Sequence, residues 1–449
     1  MPLTSSVSRV ALPIIRDLFQ LQADMTAWVA VAFTLPFVAL MPVYGRVSDG
    51  LGARRLILVG ALLSSIGALL TAASPTLGWV MVGMAIQGIG LAGMTPLGLA
   101  LISATFRRDR NRIRVLATWS TVGPTTGFVA PLVGGLLVAA FGWRSAFVPP
   151  LIIGMVAFLV AYRGIPPDTN QPRPGFLRSF DWVGVVLLTA ATTALVFYLS
   201  SRPITGVAPL RDWRLLALTI VLFGAFWWWE RRQKLPFVSF GVFGNRLFGR
   251  ATFCAAMRMV VMGGLGFLVP LYLVDVHELS LAQLGGALMI SPGVMAPAVG
   301  LGGRLSARWG QRWVVILGLG VQGSVMLIFS WLSAETPVWI VYLNLAYYGA
   351  GAGLILAPLH HAALRNMSST QAGMASGLYS MLRFLGSVVG TALAGVLLQS
   401  FIEQSIATTV AYQRSFLAFA AFAVAGMIVG LRLEQRTSNA AIDVGPLPR

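Results

Sequence analysis

Apolar residues fall in runs of about 18 to 25, as in Leu56 to Ala73 and Val183 to Ser200, without the strict alternation of a half-buried strand. That is the length a helix needs to cross a bilayer, whereas a barrel strand needs about half as many residues. Between charged or Pro/Gly-rich breaks, the pattern predicts helices at 2–20, 26–44, 56–73, 79–104, 115–139, 145–163, 181–200 and 213–229. Six more follow at 251–274, 283–302, 313–333, 338–362, 376–400 and 414–432. The expected fold class is therefore an all-α polytopic membrane protein of about fourteen transmembrane helices.

Composition agrees. Hydrophobic residues make up 57% of the chain and charged residues only 10%, against about 25% in a soluble domain. With a mean hydropathy of +0.80, the chain cannot cover itself with polar surface, so lipid is part of its solvent. The net charge of +18 raises nucleic-acid binding, but the arginines form no stripe or arm. They recur in short connections between apolar runs, which is a topology signal. Of the 32 basic side chains, 23 lie on the even-to-odd connections and the C-terminal tail, 6 on the odd-to-even connections and 3 inside helices. This bias predicts a bacterial-type cytoplasmic (inner) membrane protein with both termini in the cytoplasm.

The single cysteine, Cys254, excludes an internal disulfide. Met1 to Asp24 has no separable signal peptide, so the first helix must serve as its own insertion signal. That helix is short and carries Arg9 among Ser5, Ser6 and Ser8, which leads us to expect a natural start upstream.

The chain also repeats itself. Gly45-Arg46-Val47-Ser48-Asp49-Gly50-Leu51-Gly52-Ala53-Arg54 aligns with Gly303-Arg304-Leu305-Ser306-Ala307-Arg308-Trp309-Gly310-Gln311-Arg312 at an offset of 258. Gly88-Ile89-Gly90 with Pro96 pairs with Gly349-Ala350-Gly351 and Pro358, and Trp119-Ser120 precedes Tyr379-Ser380 by 260 residues. Near-equal offsets predict two homologous halves: an N-terminal six-helix bundle at 1–165 and a C-terminal one at 246–435. The linker at 166–245 would carry two extra helices, and 436–449 a cytoplasmic tail.

On these motifs the chain resembles the major facilitator superfamily, and within it the fourteen-span drug:proton antiporter (multidrug efflux) family. Gly45 to Arg55 resembles that family's loop between the second and third helices. The resemblance implies a conformational latch at Gly45, Arg46, Asp49, Gly52, Arg54 and Arg55, with a second copy at Gly303, Arg304, Gly310 and Arg312. Gly45 and Gly52 would permit tight turns, and Arg54 could pair with a carboxylate. The run from Gly123 to Gly135 resembles the exporter motif of the fifth helix. There Gly123, Gly127, Gly134 and Gly135 would allow close helix approach, while Pro124 and Pro131 permit bending. Proton antiport by alternating access between two bundles, a small-molecule substrate, a monomeric state and no cofactor are what the resemblance implies.

The departures bear on coupling. The fourth helix keeps Gln87-Gly88-Ile89-Gly90, but Met84 stands where the family usually has an arginine linked to proton transfer. Thr4 aligns where an acid is common in the first helix. The fourteen acidic residues all fall in predicted loops, tails or helix ends. This leaves His360 and His361, near the end of the twelfth predicted helix, as titratable candidates, although anchoring the helix at the cytoplasmic interface is the simpler reading of both.

Intramembrane charge is costly and functional by default. Arg9, Arg258 and Arg383 are therefore cavity candidates, set against snorkelling for Arg258 and Arg383. If Arg9 and Arg258 both line a cavity, they favour an anionic or zwitterionic substrate. The Gly-x-Gly segments lie inside helices, and no Walker loop, metal-ligand cluster or catalytic triad spacing is present. We expect no enzyme, no metal and no direct use of ATP. Two alternatives stay open: an uncoupled or differently coupled metabolite transporter, and a transport-inactive sensor or scaffold.

Overall fold

The computed structural model describes residues 2–105, 110–166, 180–201, 205–207, 211–233, 244–365, 369–404 and 407–433. The first part of the chain holds α1 (Pro2–Leu18), α2 (Ala23–Leu51), α3 (Ala53–Ala72), α4 (Leu77–Leu91), α5 (Met94–Thr105), α6 (Arg110–Phe141) and α7 (Val148–Gly164). Then come α8 (Trp182–Ser200) and α9 (Trp213–Arg232). The last part holds α10 (Arg246–Asp275), α11 (Leu281–Trp309), α12 (Gln311–Phe329), α13 (Val338–Leu364), α14 (Ser369–Glu403) and α15 (Thr408–Gly430). No strand occurs among the described residues, and eleven segments are long and apolar enough to cross a membrane.

Helix starts follow local chemistry. Asp181, Asp212 and Asn245 each accept hydrogen bonds from backbone N–H groups in the following turn, and Ser280 with Gln283 forms a capping box ahead of α11.

Two boundaries differ from the sequence pattern. The fourth span is not one helix over 79–104 but breaks at Ala92-Gly93, where a side chain on Gly93 would meet the Tyr44 ring. The expected loop between the second and third spans is instead helical through Leu51. A single residue, Gly52 at φ 88° and ψ 147°, turns the chain into α3. Its counterpart Gly310, at φ 83° and ψ 155°, does the same between α11 and α12. Gly52 N–H donates to the Ser48 carbonyl and Gly310 N–H to that of Ser306, each at 3.1 Å. The sequence repeat is thus a repeat of geometry. Gly45 and Gly303 have nothing within 4 Å of an added Cβ, so neither serves the tight turn expected of Gly45.

The packing repeats as well. In the first half α3 packs on α4 and α7, α2 on α4, and α1 on α6; in the second, α12 packs on α13 and α15, α11 on α13, and α10 on α14. The halves meet chiefly where α6 packs on α11 and α2 on α14, and α1 also touches α10 and α11. The extra helices α8 and α9 pack on each other, and α8 lies against α2 and α14. There the Trp28 indole donates to the Ser200 carbonyl at 2.8 Å, and Trp229 to Asp181 at 2.8 Å.

Candidate functional site

The joints between the halves are built from small residues. A Cβ on Gly135 of α6 would lie 2.7 Å from the Leu281 carbonyl oxygen, and one on Gly285 of α11 would lie 2.5 Å from that of Pro131. A Cβ on Gly395 of α14 would lie 2.6 Å from the Ala27 Cβ and 2.8 Å from the Ala23 carbonyl oxygen, both on α2. Backbones can come this close only where side chains are missing. Polar contacts tie the same end. Ala23 N–H donates to the Gln399 side chain at 3.0 Å, and the Arg16 guanidinium donates twice to Asp275, at 2.6 and 2.7 Å. The Tyr412 hydroxyl donates to the same carboxylate at 2.5 Å. This end carries the odd-to-even connections and is the arginine-poor end. Toward the opposite end, Gly123, Gly300, Gly303 and Gly377 have nothing within 4 Å of an added Cβ.

Between the halves lie two small cavities that share Arg9 and Gly266. One, of about 50 Å³, is bordered by Ser5, Ser8, Met84, Phe267 and Thr391. The other, of about 70 Å³, is bordered by Ser6, Pro131, Ser291, Leu345 and Tyr348. Each has room for a few waters, far below the several hundred Å³ of a drug-sized pocket. The central space is therefore closed down around Arg9. A Cβ on Gly266 would lie 2.7 Å from the Arg9 Cζ, so the bare backbone of α10 makes room for the guanidinium. Met84 faces the first cavity with its sulfur 4.0 Å from the Ser8 hydroxyl.

Neither cavity is lined by an acidic residue. Tyr348 is 3% exposed, its hydroxyl has no hydrogen-bond partner among the described residues, and it lies within electrostatic reach of both Arg9 and Arg258. Sequence reasoning missed Tyr348. The available signal was a tyrosine one residue before the Gly349-Ala350-Gly351 repeat.

The other expected site residues separate into groups. Arg258, 2% exposed, borders neither cavity; it donates to the Ala352 carbonyl at 3.1 Å and ties α10 to α13. Arg383 stacks over Phe384 at 4.3 Å and interacts electrostatically with Arg258. His360 packs edge-on against Tyr379 at 4.9 Å and contacts the Leu356 carbonyl. Arg258, Arg383 and His360 thus gather among α10, α13 and α14, beside the cavities and not in them. His361 is exposed and hydrogen-bonds to Gln311, which suits an anchor at the helix end. Gln87 turns away from the central space and donates to Thr71 at 3.3 Å, where α3 and α4 meet.

In the repeated motif, Arg54 donates to the Tyr162 carbonyl at 2.6 Å and so joins α3 to the end of α7. Its counterpart Arg312 lies over Trp313 at 5.4 Å, while Arg55 and Arg304 are exposed. The side chains of Arg46, Asp49 and Pro124 lie outside the described residues, as does the tail at 436–449. In the exporter-type run, a Cβ added to Gly134 would lie 3.4 Å from the Val7 side chain and one added to Gly127 3.4 Å from the Pro292 ring. Among the described residues, no group of three or more His, Cys, Asp or Glu side chains could hold a metal.

Known proteins agree with this architecture. The family model described as Major Facilitator Superfamily matches residues 1–391 and 251–446. The chain is 27% identical over 412 residues to the drug efflux pump JefA of Mycobacterium tuberculosis, covering 90% of this chain and 79% of that one. It is 29% identical over 411 residues to the multidrug resistance protein Stp of the same organism, covering 90% and 74%. Among solved structures, it superimposes on a bacterial homologue of the human lysosomal transporter Spinster, in an inward-facing and occupied conformation. The TM-score there is 0.67 at 16% identity, covering 96% of this chain and 92% of that one.

Proposed function

This chain belongs to the major facilitator superfamily and is a membrane transporter of small molecules; from that premise we propose that it exports organic compounds by alternating access, driven by protons moving the other way. The observation that carries the reading is the joint at the arginine-poor end, where small-residue contacts and the Arg16–Asp275 pair hold the halves together. A pump that rocks between two openings needs contacts of this kind, tight in one state and broken in the other. The arginine bias supports a cytoplasmic position for the rich end and both termini, in an inner membrane. The efflux relatives support the outward direction.

Coupling would follow an unusual route, since no acid among the described residues borders either cavity. Asp275 is a carboxylate that bridges the halves, held by Arg16 and Tyr412. The test is proton flux in proteoliposomes with a trapped pH dye and an imposed gradient, using a panel of cationic, zwitterionic and anionic substrates. Substrate-dependent proton release supports antiport. Substrate movement without it leaves an uncoupled transporter, and no movement at all in correctly inserted protein leaves a sensor or scaffold.

A further inference from the structure

The central space carries a fixed positive charge without a carboxylate to balance it. Arg9 projects from α1 between the two cavities, and the described residues offer it neither an ion pair nor a hydrogen bond. Several neighbouring hydroxyls are already committed to backbone carbonyls. Ser8 donates to Thr4, Thr34 to Ala30 and Thr391 to Gly263. The Tyr348 hydroxyl is different: it is buried at the wall of the Arg9 cavity and has no partner. A second guanidinium, Arg258, acts on the same phenol from the α10–α13 contact.

An arginine in so apolar a place is strongly stabilised by an anion, and a guanidinium offers a planar pair of donors that matches a carboxylate. A buried hydroxyl beside it adds a third donor aimed at the same ligand. When the halves part during the cycle and the two cavities merge around Arg9, apolar walls from Leu12, Val29, Phe33 and Phe267 on one side and Leu265, Val269 and Leu345 on the other would accept a hydrophobic body behind the acidic group. A lipophilic cation, by contrast, would meet like charge with no acid to receive it.

We propose that the substrate class is an amphiphilic organic anion, whose carboxylate pairs with Arg9 and accepts a hydrogen bond from Tyr348. This rests on the transport reading above and adds the chemistry of the cargo. Export of such an anion together with proton entry would move charge in one direction, so the membrane potential as well as the pH gradient would act on the cycle.

The test uses three probes that share a ring system and differ in charge: 1-naphthoate, 1-naphthamide and 1-naphthylmethylammonium. Binding to the purified full chain is measured by equilibrium dialysis and transport by counterflow in proteoliposomes. The wild type should bind the carboxylate at least about tenfold more tightly than the other two. Arg9→Gln should abolish that preference, with thermal unfolding in detergent showing that the variant is folded. Arg9→Lys should retain the preference, and Tyr348→Phe should weaken carboxylate binding by about tenfold. Equal or tighter binding of the cation or amide by the wild type overturns the inference and leaves transport standing. So does a carboxylate preference that survives Arg9→Gln. Failure of all three probes in both assays overturns the inference, and the proton-flux panel above tests the transport reading separately.

Discussion

Arg16, at the end of α1, grips Asp275, at the end of α10, with two hydrogen bonds of 2.6 and 2.7 Å, and Tyr412 of α15 closes on the same carboxylate at 2.5 Å. The two residues come from opposite halves, 259 positions apart, and both side chains are more than four-fifths buried. A charge-assisted, two-pronged contact in this setting contributes about 1–3 kcal/mol to the state in which it forms.

Asp275→Asn should therefore loosen the arginine-poor end. A shift of about 1–3 kcal/mol changes the ratio of open to closed forms by about 5- to 150-fold. The readout is a reporter cysteine at Thr391, which borders the central space, in a Cys254→Ser background. A membrane-impermeant thiol reagent applied from the arginine-poor side should label it faster in the Asn variant. An unchanged rate would mean that the pair does not hold that end shut.

Gly285→Val addresses the joint between α6 and α11. The new side chain would be driven against the Pro131 carbonyl and the Gly135 backbone, neither of which can swing aside. Flux should fall by about tenfold or more, with the Thr391 reporter exposed from the arginine-poor side. Gly303→Ala, which faces open space, should leave both measurements within about twofold of wild type. Matching effects from the two substitutions would refute the joint.

Gly52 and Gly310 invite a comparison within one motif. Both hold positive φ with ψ near 150° at a one-residue turn, a region nearly restricted to glycine where an L side chain costs about 1–3 kcal/mol. Gly45 is helical with space around it, and Gly→Ala inside a helix gains about 0.5–1 kcal/mol. Thermal unfolding in detergent should rank Gly45→Ala above wild type, and wild type above Gly52→Ala and Gly310→Ala. Equal losses at 45 and 52 would contradict the assignment of the turn.

How far these features can be read in the sequence depends on their range. Fourteen apolar runs anticipated the spans because lipid imposes a length and a polarity that any window of the chain reveals. The repeated Gly-Arg motif anticipated the paired turns, although the helix running through Leu51 was hidden, since its charged residues read as a loop. Arg9 stood out as a charge inside an apolar run, and it does border the cavities. Arg258 stood out for the same reason yet lies behind them, because composition cannot tell which face of a buried helix a side chain occupies. Tyr348 and the Arg16–Asp275 pair were not legible. A tyrosine in an apolar run carries no mark of an unpaired hydroxyl, and a contact between residues 259 apart exists only once both halves have folded.

Arg258 offers the last prediction, because its two plausible roles pull in opposite directions. Its guanidinium reaches one carbonyl, at Ala352, and the Met259 sulfur at 3.4 Å, while its Nε finds no partner. A partly satisfied buried charge costs stability, and an apolar residue of similar volume at such a place is often neutral or stabilising by about 1–4 kcal/mol. Arg258→Met should therefore unfold at the same temperature as wild type or higher. If its charge also helps hold an anion through Tyr348, the same variant should bind 1-naphthoate more weakly with unchanged affinity for the amide, a smaller loss than Arg9→Gln produces. A large drop in stability would instead make the Ala352 contact the reason for the arginine, a brace between α10 and α13. Higher stability with unaltered binding would remove Arg258 from the site and leave Arg9 as the charge that selects the cargo.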